Sequence, residues 1–149
     1  MPQNLKFLLS FVFLSFIFLI IFNLSILDNK ILIKNKIINQ TPITIFEPEK
    51  DKKNKNLIFI AHGFAGSSSF MKSIALSLAN TGYKTITFDF LGHGRHSQAY
   101  SGNILDEKGA TKLFVKQTEN LIDYFLDKNN GHKAIIIGHS MASDIIFRV

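Results

Sequence analysis

Cysteine is absent from the 149 residues, and so is any basic run interleaved with aromatic side chains. The lack of cysteine excludes disulfides, but it fits a reducing cytosol and a disulfide-free exterior equally well. The formal charge of +6 comes from 17 basic and 11 acidic residues, and most of the basic ones are scattered lysines. Without a basic and aromatic stripe or an arginine-rich helix, the sequence predicts no nucleic-acid partner.

Charge is also absent from residues 7–27, where Phe, Leu and Ile dominate. About 20 helical residues at 1.5 Å each cross a hydrocarbon core of about 30 Å. Residues 1–28 therefore predict one transmembrane helix, a single-pass N-terminal anchor in the lipid bilayer. A cleaved signal peptide is the alternative, but its apolar region is usually shorter, and residues 23–27 offer no small-residue cleavage site. Lysines on both sides of the span leave the side of the membrane undetermined.

Residues 29–149 alternate between two hydrophobic patterns and predict one partial domain. Apolar or alternating runs predict strands at residues 31–38, 43–46, 57–61, 85–90 and 134–137. Helical spacing predicts a helix capped at Ser67–Ser69 and ended by Gly82, a second that Asp106 caps and residues 129–131 end, and a third after Ser140. Residues 47–56 read as a surface loop. We expect an α/β fold, a mostly parallel sheet with helices on both faces and ligands at the carboxyl ends of the strands.

The last strand and helix enclose a serine. The pattern is Gly138-x-Ser140-x-Ala142, one residue away from the Gly-x-Ser-x-Gly form of a nucleophile elbow. Such a turn pushes the serine hydroxyl clear of the sheet, and N–H groups at the start of the next helix stabilise a developing oxyanion. Ser140 is the candidate nucleophile. The same pattern alone also fits a plain strand-to-helix turn.

Three segments in this order resemble the amino-terminal half of an α/β hydrolase, the family of esterases, lipases and related serine hydrolases. They are His62-Gly63-Phe64 after the third strand, Asp89-Phe90-Leu91-Gly92-His93-Gly94-Arg95-His96-Ser97 after the fourth, and Gly138-His139-Ser140-Met141-Ala142. The second has one extra residue before its serine. The resemblance covers about residues 31–149 and implies a small-molecule acyl substrate, an ester, thioester or amide, and no cofactor.

The resemblance also implies roles for individual residues. Ser140 corresponds to the nucleophile, and the backbone N–H groups of Phe64 and Met141 correspond to the oxyanion hole. The supporting loop residues implied are His62, Gly63, Asp89, Gly92, Gly94, Gly138 and His139.

Other roles for these polar residues are weaker. His62 fits a loop brace better than a metal ligand, and His93 and His96 have no third ligand at metal-binding spacing, so no metal site is predicted. Asp89 is expected to organise its loop, and His139 to be structural. Asp144 and Arg148 are spaced for a helical surface pair.

A serine needs a histidine to take its proton and an acid to orient that histidine. In this fold the acid and then the histidine follow the serine along the chain. Only nine residues follow Ser140, and they contain Asp144 but no histidine. Three hypotheses remain: a truncated and inactive hydrolase fragment, a hydrolase completed by a second chain that supplies the acid and histidine, and a noncatalytic membrane-anchored binding or interaction protein. The choice among esterase, lipase, thioesterase and acyltransferase stays open.

Overall fold

The structure is a computed structural model, and it describes residues 3–28, 31–49, 55–103, 109, 111–128 and 131–149. The chain forms two compact units, Met1–Lys30 and Ile31–Val149. The predicted domain boundary between residues 28 and 29 therefore falls close to the division between them.

The first unit contains one helix, α1, which spans Gln3–Asp28. Many of its large apolar side chains are exposed, including Phe7, Phe11 and Phe18. Across the residues that the structure describes, no helix combines the length and the apolarity needed to cross a membrane. The predicted transmembrane anchor is thus not supported by this finding.

The second unit is a five-stranded sheet with helices. Its strands are β1 (Leu32–Ile38), β2 (Thr41–Glu47), β3 (Leu57–Ala61), β4 (Lys84–Phe88) and β5 (Ala134–Gly138). Its helices are α2 (Lys72–Asn80), preceded by a 3-10 turn over Ser68–Met71, then α3 (Lys112–Asp127) and α4 (Met141–Ile146). The strand order is β1-β2-β4-β3-β5.

The sheet is mixed, so the prediction of a mostly parallel sheet is wrong. β1 pairs with β2 and β2 with β4 in antiparallel fashion, whereas β3 runs parallel to both β4 and β5. The antiparallel direction of β1 and β2 follows from the two-residue turn at Asn39 and Gln40, both with positive φ (47° and 68°), which folds the chain into a hairpin. The parallel pairs arise where a helix connects the strands.

Helices pack on both faces, as predicted. On one face, Leu57, Phe59 and Ala61 of β3 pack in the cluster that contains the apolar side of α3 and Ala142 and Ile145 of α4. On the other, Ile58 and Ile60 of the same strand join Met71, Ala75 and Ala79 from the start and body of α2. Because alternate residues of a strand point to opposite faces, the fully buried run of β3 serves both clusters.

Several element limits differ from those predicted. β4 ends at Phe88, so Asp89 and Phe90 leave the sheet and belong to the loop. Ser67 makes no side-chain capping bond, and the chain enters α2 through the 3-10 turn, which leaves Phe70 72% exposed instead of buried. The predicted cap at Asp106, the helix position Ala110, part of the helix stop (residues 129–130) and residues 50–54 of the predicted loop lie outside the described residues.

Candidate active site

Ser140 occupies a strained turn between β5 and α4. Its backbone has φ 56° and ψ −120°, a region that costs a residue other than glycine on the order of 1–3 kcal/mol. The residue is exposed, and α4 begins immediately after it at Met141. Strand, tight turn and helix therefore follow one another as the sequence predicts, with the serine at the apex.

Close packing between β5 and α4 explains the small residues on either side of Ser140. A Cβ atom at Gly138 would lie 2.5 Å from the Ala142 carbonyl oxygen and 2.9 Å from the Ser143 nitrogen, too close for any side chain. Ala142 itself is fully buried, and the Ser143 hydroxyl donates to the Gly138 carbonyl at 3.1 Å. A methyl group is accommodated at position 142, so the departure from glycine there is tolerated.

The loop after β3 lies against this turn. A Cβ atom at Gly63 would be 3.0 Å from both the Ser140 Cβ and the His139 Nδ1. The His139 N–H donates to the Ala61 carbonyl at 3.1 Å and so continues the pairing of β5 with β3 beyond the strand end. The structure thus brings the predicted His62-Gly63 segment beside Ser140.

His62 is a buried brace between two loops. Its side chain is fully buried, Nδ1 lies 2.7 Å from the Gly63 carbonyl oxygen, and Nε2 accepts a hydrogen bond from the Phe90 N–H at 3.2 Å. These partners fix the neutral tautomer with the proton on Nδ1. Burial lowers the pKa of His62, and nearby His93 lowers it further, against the opposing effects of the Gly63 carbonyl and Asp89.

The two predicted oxyanion donors lie on the two segments that meet at Ser140. Phe64 follows Gly63, its side chain is 78% exposed, and a turn closed by the Gly66 N–H on the Gly63 carbonyl (3.1 Å) surrounds it. Met141 is the first residue of α4, where a backbone N–H has no acceptor in a preceding helical turn. Their joint action as an oxyanion hole stays a prediction.

Asp89 organises the loop after β4. Its carboxylate is buried and accepts hydrogen bonds from the Ser68 N–H (2.6 Å) and from the N–H and Nε of Arg95 (3.2 and 3.1 Å). Burial alone would raise the pKa of Asp89, but the bonds from the Ser68 backbone and hydroxyl and from Arg95 outweigh it and hold the pKa below the ordinary value. A Cβ at Gly94 (φ 53°) would overlap this carboxylate, and one at Gly92 (φ 74°) would approach the Tyr100 nitrogen to 2.9 Å.

Sequence reasoning missed the roles of Arg95 and Gln117. Besides Asp89, the Arg95 guanidinium donates to Asn35 Oδ1 (3.0 Å), Thr44 Oγ1 (3.0 Å) and Ser68 Oγ (3.2 Å), and so joins the loop to β1 and β2. The sequence contains one signal for this role of Arg95: it lies in a glycine-rich loop, six residues after Asp89 at the end of a predicted strand.

The buried Gln117 of α3 holds the same loop from the other side. Its amide nitrogen donates to Thr41 Oγ1 (2.9 Å) and the Asp89 carbonyl (3.1 Å), and its oxygen accepts from the Leu91 N–H (3.1 Å). Nothing in the helical periodicity distinguishes this glutamine from a solvent-exposed one.

An apolar pocket of about 250 Å³ opens beside the turn. It is lined by His62, Gly63, Phe64, Ala65, Gly66, Phe70, Met71 and His139. The lining contains no carboxylate and no lysine or arginine, so the pocket suits an uncharged group.

His93 and His96 make local hydrogen bonds, whereas His132 Nδ1 is buried without a hydrogen-bond partner in the described part of the chain. His93 Nδ1 lies 2.8 Å from the Leu91 carbonyl oxygen, and His96 Nδ1 accepts from the Gln98 N–H at 3.1 Å. Within the described ranges, no group of three or more His, Asp or Glu side chains could hold a metal ion. Asp144 and Arg148 form the predicted surface pair at 2.8 Å.

Known proteins share this architecture. The family model described as "Serine aminopeptidase, S33" matches residues 52–149. Similar solved structures include a thioesterase domain from the curacin biosynthetic pathway (21% identity, TM-score 0.51, 78% of this chain and 40% of that one). A second is a predicted CIB-like hydrolase from Thermoplasma acidophilum (19% identity, TM-score 0.56, 79% of this chain and 56% of that one). A third is an epoxide hydrolase from an endophytic Streptomyces (18% identity, TM-score 0.55, 81% of this chain and 33% of that one).

The structural matches show the fold, and the chain spans from a third to little more than half of the length of these three proteins. No curated protein matches the sequence significantly. The family model, in contrast, covers well over half of the 149 residues and includes all three of the segments described above. The chain belongs to the serine aminopeptidase S33 family of α/β hydrolases.

Proposed function

We propose that this chain carries the nucleophile of a serine hydrolase that acts on an ester, thioester or amide through an acyl-Ser140 intermediate. The observation that carries the proposal is the strained, exposed turn at Ser140, packed against the Gly63 loop. A plain strand-to-helix turn needs neither the positive φ of a serine nor the close approach of a second loop.

The proposed reaction follows from these positions. Ser140 Oγ attacks the carbonyl carbon while its proton passes to a base, and the carbonyl oxygen becomes an oxyanion facing the Phe64 and Met141 N–H groups. Collapse of the tetrahedral intermediate expels the alcohol, thiol or amine, which takes up the proton. Water then cleaves the acyl-Ser140 bond and releases the acid.

The base and its orienting acid are proposed to lie outside these 149 residues. In the part of the chain that the structure describes, no hydrogen bond joins Ser140 Oγ to a histidine. His139, next to it in sequence, has its ring beside Gly63 instead. Without a base, a serine hydroxyl is a weak nucleophile, so the 149-residue chain alone is expected to be inactive.

Chemical rescue tests the nucleophile without the missing base. The purified chain is treated with a fluorescent fluorophosphonate, with and without added imidazole as a diffusible base. We expect labelling that rises with imidazole, that disappears in Ser140→Ala and that persists in Ser143→Ala, the matched control on the same turn. Equal labelling of the native chain and Ser140→Ala would overturn the assignment.

A noncatalytic binding or interaction protein is the alternative, and the absence of a histidine bonded to Ser140 in the described residues favours it. A folded chain that stays unlabelled at every imidazole concentration, while the pocket beside Gly63 binds an uncharged acyl amide, would support this alternative over the hydrolase.

We also propose that α1 attaches the protein to a lipid bilayer as an N-terminal anchor, with its side of the membrane left open. The support is the uncharged stretch 7–27 and the exposure of its large side chains, among them Leu14 (63%) and Phe18 (66%). The expected result is that the full chain resists alkaline carbonate extraction from membranes and that Leu14→Arg with Phe18→Arg releases it. Release of the unaltered chain by carbonate would contradict the proposal.

A further inference from the structure

A second pocket, of about 250 Å³, lies on the sheet face that carries α2, at its β1 and β2 side. It is lined by Ile33, Asn35, Thr44, Phe46, Ser68, Ser69, Lys72, Thr87 and Arg95. None of these residues lines the pocket beside Ser140. The proposed hydrolase chemistry therefore leaves this pocket unexplained.

Its polar lining has more free donors than free acceptors. Asn35 Oδ1 already accepts from Arg95 Nη1 and from the Thr44 hydroxyl (2.8 Å), and the Thr44 and Ser68 oxygens accept from Arg95 Nη2. Among the described residues, the Asn35 amide nitrogen and the Lys72 ammonium have no hydrogen-bond partner. An entering ligand therefore meets N–H groups that seek an acceptor.

Thr87 provides a second, independent sign of a missing ligand. Its side chain is fully buried on β4 at the floor of the pocket, and its hydroxyl has no hydrogen-bond partner within the described part of the chain. A buried hydroxyl without a partner costs on the order of 1–3 kcal/mol, so native proteins rarely keep one. A ligand oxygen at the pocket floor would give this hydroxyl its acceptor.

The charge of the pocket is positive. Lys72 has no ion pair in the described ranges, and no lining residue is acidic. Arg95 is held over the buried Asp89, so that pair is close to neutral, but the guanidinium side chain remains 44% exposed. The excess positive charge at the mouth comes from Lys72.

We propose that this pocket binds a phosphate-sized oxyanion. Lys72 supplies the charge, and the Asn35 amide, the Arg95 guanidinium and the Thr87 hydroxyl supply neighbouring donors. Ile33 and Phe46 form an apolar wall for the group that carries the oxyanion. A free phosphate ester and the phosphate of a lipid headgroup share this chemistry.

Calorimetric titration of the full chain with inorganic phosphate tests the site. We expect saturable binding that weakens at least tenfold in Lys72→Gln and about threefold in Thr87→Val, a change that removes the hydroxyl at constant shape. Lys116→Gln, on the exposed side of α3, is the matched lysine control and should bind like the native chain. Arg95 is left unaltered because it also holds Asp89.

Co-sedimentation with phosphatidylcholine vesicles, with and without phosphatidic acid, distinguishes the two sources when all variants also carry Leu14→Arg and Phe18→Arg, so that α1 does not bind the vesicles. A phosphatidic acid dependence that Lys72→Gln removes and Lys116→Gln keeps, without binding of inorganic phosphate, identifies the ligand as a lipid headgroup. Absence of Lys72-dependent binding in both measurements, with all variants folded by circular dichroism, would overturn the proposal.

Discussion

At the scale of single residues, the loops around Ser140 depend on positions where one methyl group does not fit. Gly94 is the clearest of them, because its φ is left-handed (53°) and its missing side chain leaves room for the Asp89 carboxylate. The carboxylate in turn accepts its bonds from Ser68 and Arg95 across this space. Conformation and packing therefore both demand glycine here.

Gly131 allows these two demands to be separated. It has a left-handed φ of 83°, but a Cβ there would meet nothing within 4 Å. Gly131→Ala should lower the free energy of unfolding by about 1–2 kcal/mol through backbone strain alone. Gly94→Ala should lower it by a further 1–3 kcal/mol or so through overpacking against Asp89. Urea denaturation of both variants measures the difference, and equal losses would show that packing at Gly94 does not matter.

His62 should make stability depend on pH. Its pKa is lowered in the folded chain by burial, so the unfolded chain binds more protons in the range between the two pKa values. Stability is then fully present above the ordinary histidine value of about 6.5, and it falls as the pH drops through that value towards the folded pKa. Urea unfolding of the native chain at a series of pH values from neutral downwards should show this loss.

The variant His62→Gln should flatten that pH profile, at some cost in stability at neutral pH. His96→Gln is the control: burial lowers the pKa of His96 too, but this residue is partly exposed and should change the profile less. Asp89 affects stability at a lower pH than His62 does. Its pKa lies below the ordinary carboxyl value, so the stability that its carboxylate provides is lost only as the pH falls below that ordinary value. A profile unchanged by His62→Gln would contradict the assignment.

At the scale of elements, a buried amide joins α3 to the loop after β4, alongside the Phe114 ring, which contacts Phe90, His93 and Tyr100. Gln117 forms hydrogen bonds with the Leu91 N–H, the Asp89 carbonyl and the Thr41 hydroxyl. A buried polar group left without a partner costs more free energy than a hydrogen bond contributes. Removal of this amide should therefore destabilise the fold by more than the sum of its net hydrogen-bond energies.

Gln117→Met keeps the length of the side chain and removes its hydrogen bonds. We expect a loss of about 2–4 kcal/mol in the free energy of unfolding. Hydrogen exchange at the Leu91 amide should accelerate more than exchange in β3. Lys116→Met, one residue earlier on an exposed position, should leave both unchanged. Unchanged Leu91 exchange in Gln117→Met would show that other contacts hold the loop.

The elements with strong local patterns are those that the sequence predicts. β3 has the predicted limits because five consecutive apolar residues are buried on two faces. Strand direction in the first hairpin depends instead on a two-residue turn with left-handed residues, and the sequence Asn39-Gln40 lacks the glycine that usually marks it. The exposure of Phe70 follows from the 3-10 entry into α2, which shifts the helical phase.

The candidate site likewise has features that the sequence predicts and features that it does not. Its main-chain features, the turn at Ser140 and the loop at Gly63, follow from glycine and serine spacing. The network of Arg95 with Asn35 and Thr44 joins residues 51 and 60 positions apart, and no local pattern reports such contacts. Catalytic roles for Ser140, Phe64 and Met141 remain predictions for the experiments above.

At the scale of the whole molecule, the two edges of the sheet differ in chemistry. β1 carries Lys34 and Lys36, charges that discourage pairing with another chain. β5 has the sequence Ala-Ile-Ile-Ile-Gly, carries no charge and pairs only with β3 among the described residues. Ile135 on this strand is 39% exposed. The β5 edge is therefore the more prone to intermolecular pairing.

Ile135→Lys should reduce concentration-dependent self-association of the chain. Ile37→Lys places the same charge on β1. Because Ile37 is already 74% exposed, this change should have little effect. Sedimentation velocity over a range of concentrations compares the two with the native chain. Equal behaviour of both variants would locate the association elsewhere.

The position of β5 also has a consequence for the order of folding. β1 and β2 are joined by a two-residue turn and can pair within microseconds, whereas β5 must find β3 after α2, β4 and α3 have intervened in the chain. During synthesis β5 and α4 also leave the ribosome after the other described elements. The turn at Ser140 is thus assembled after β1 to β4, and a nascent chain can build much of the described core before Ser140 is held in place.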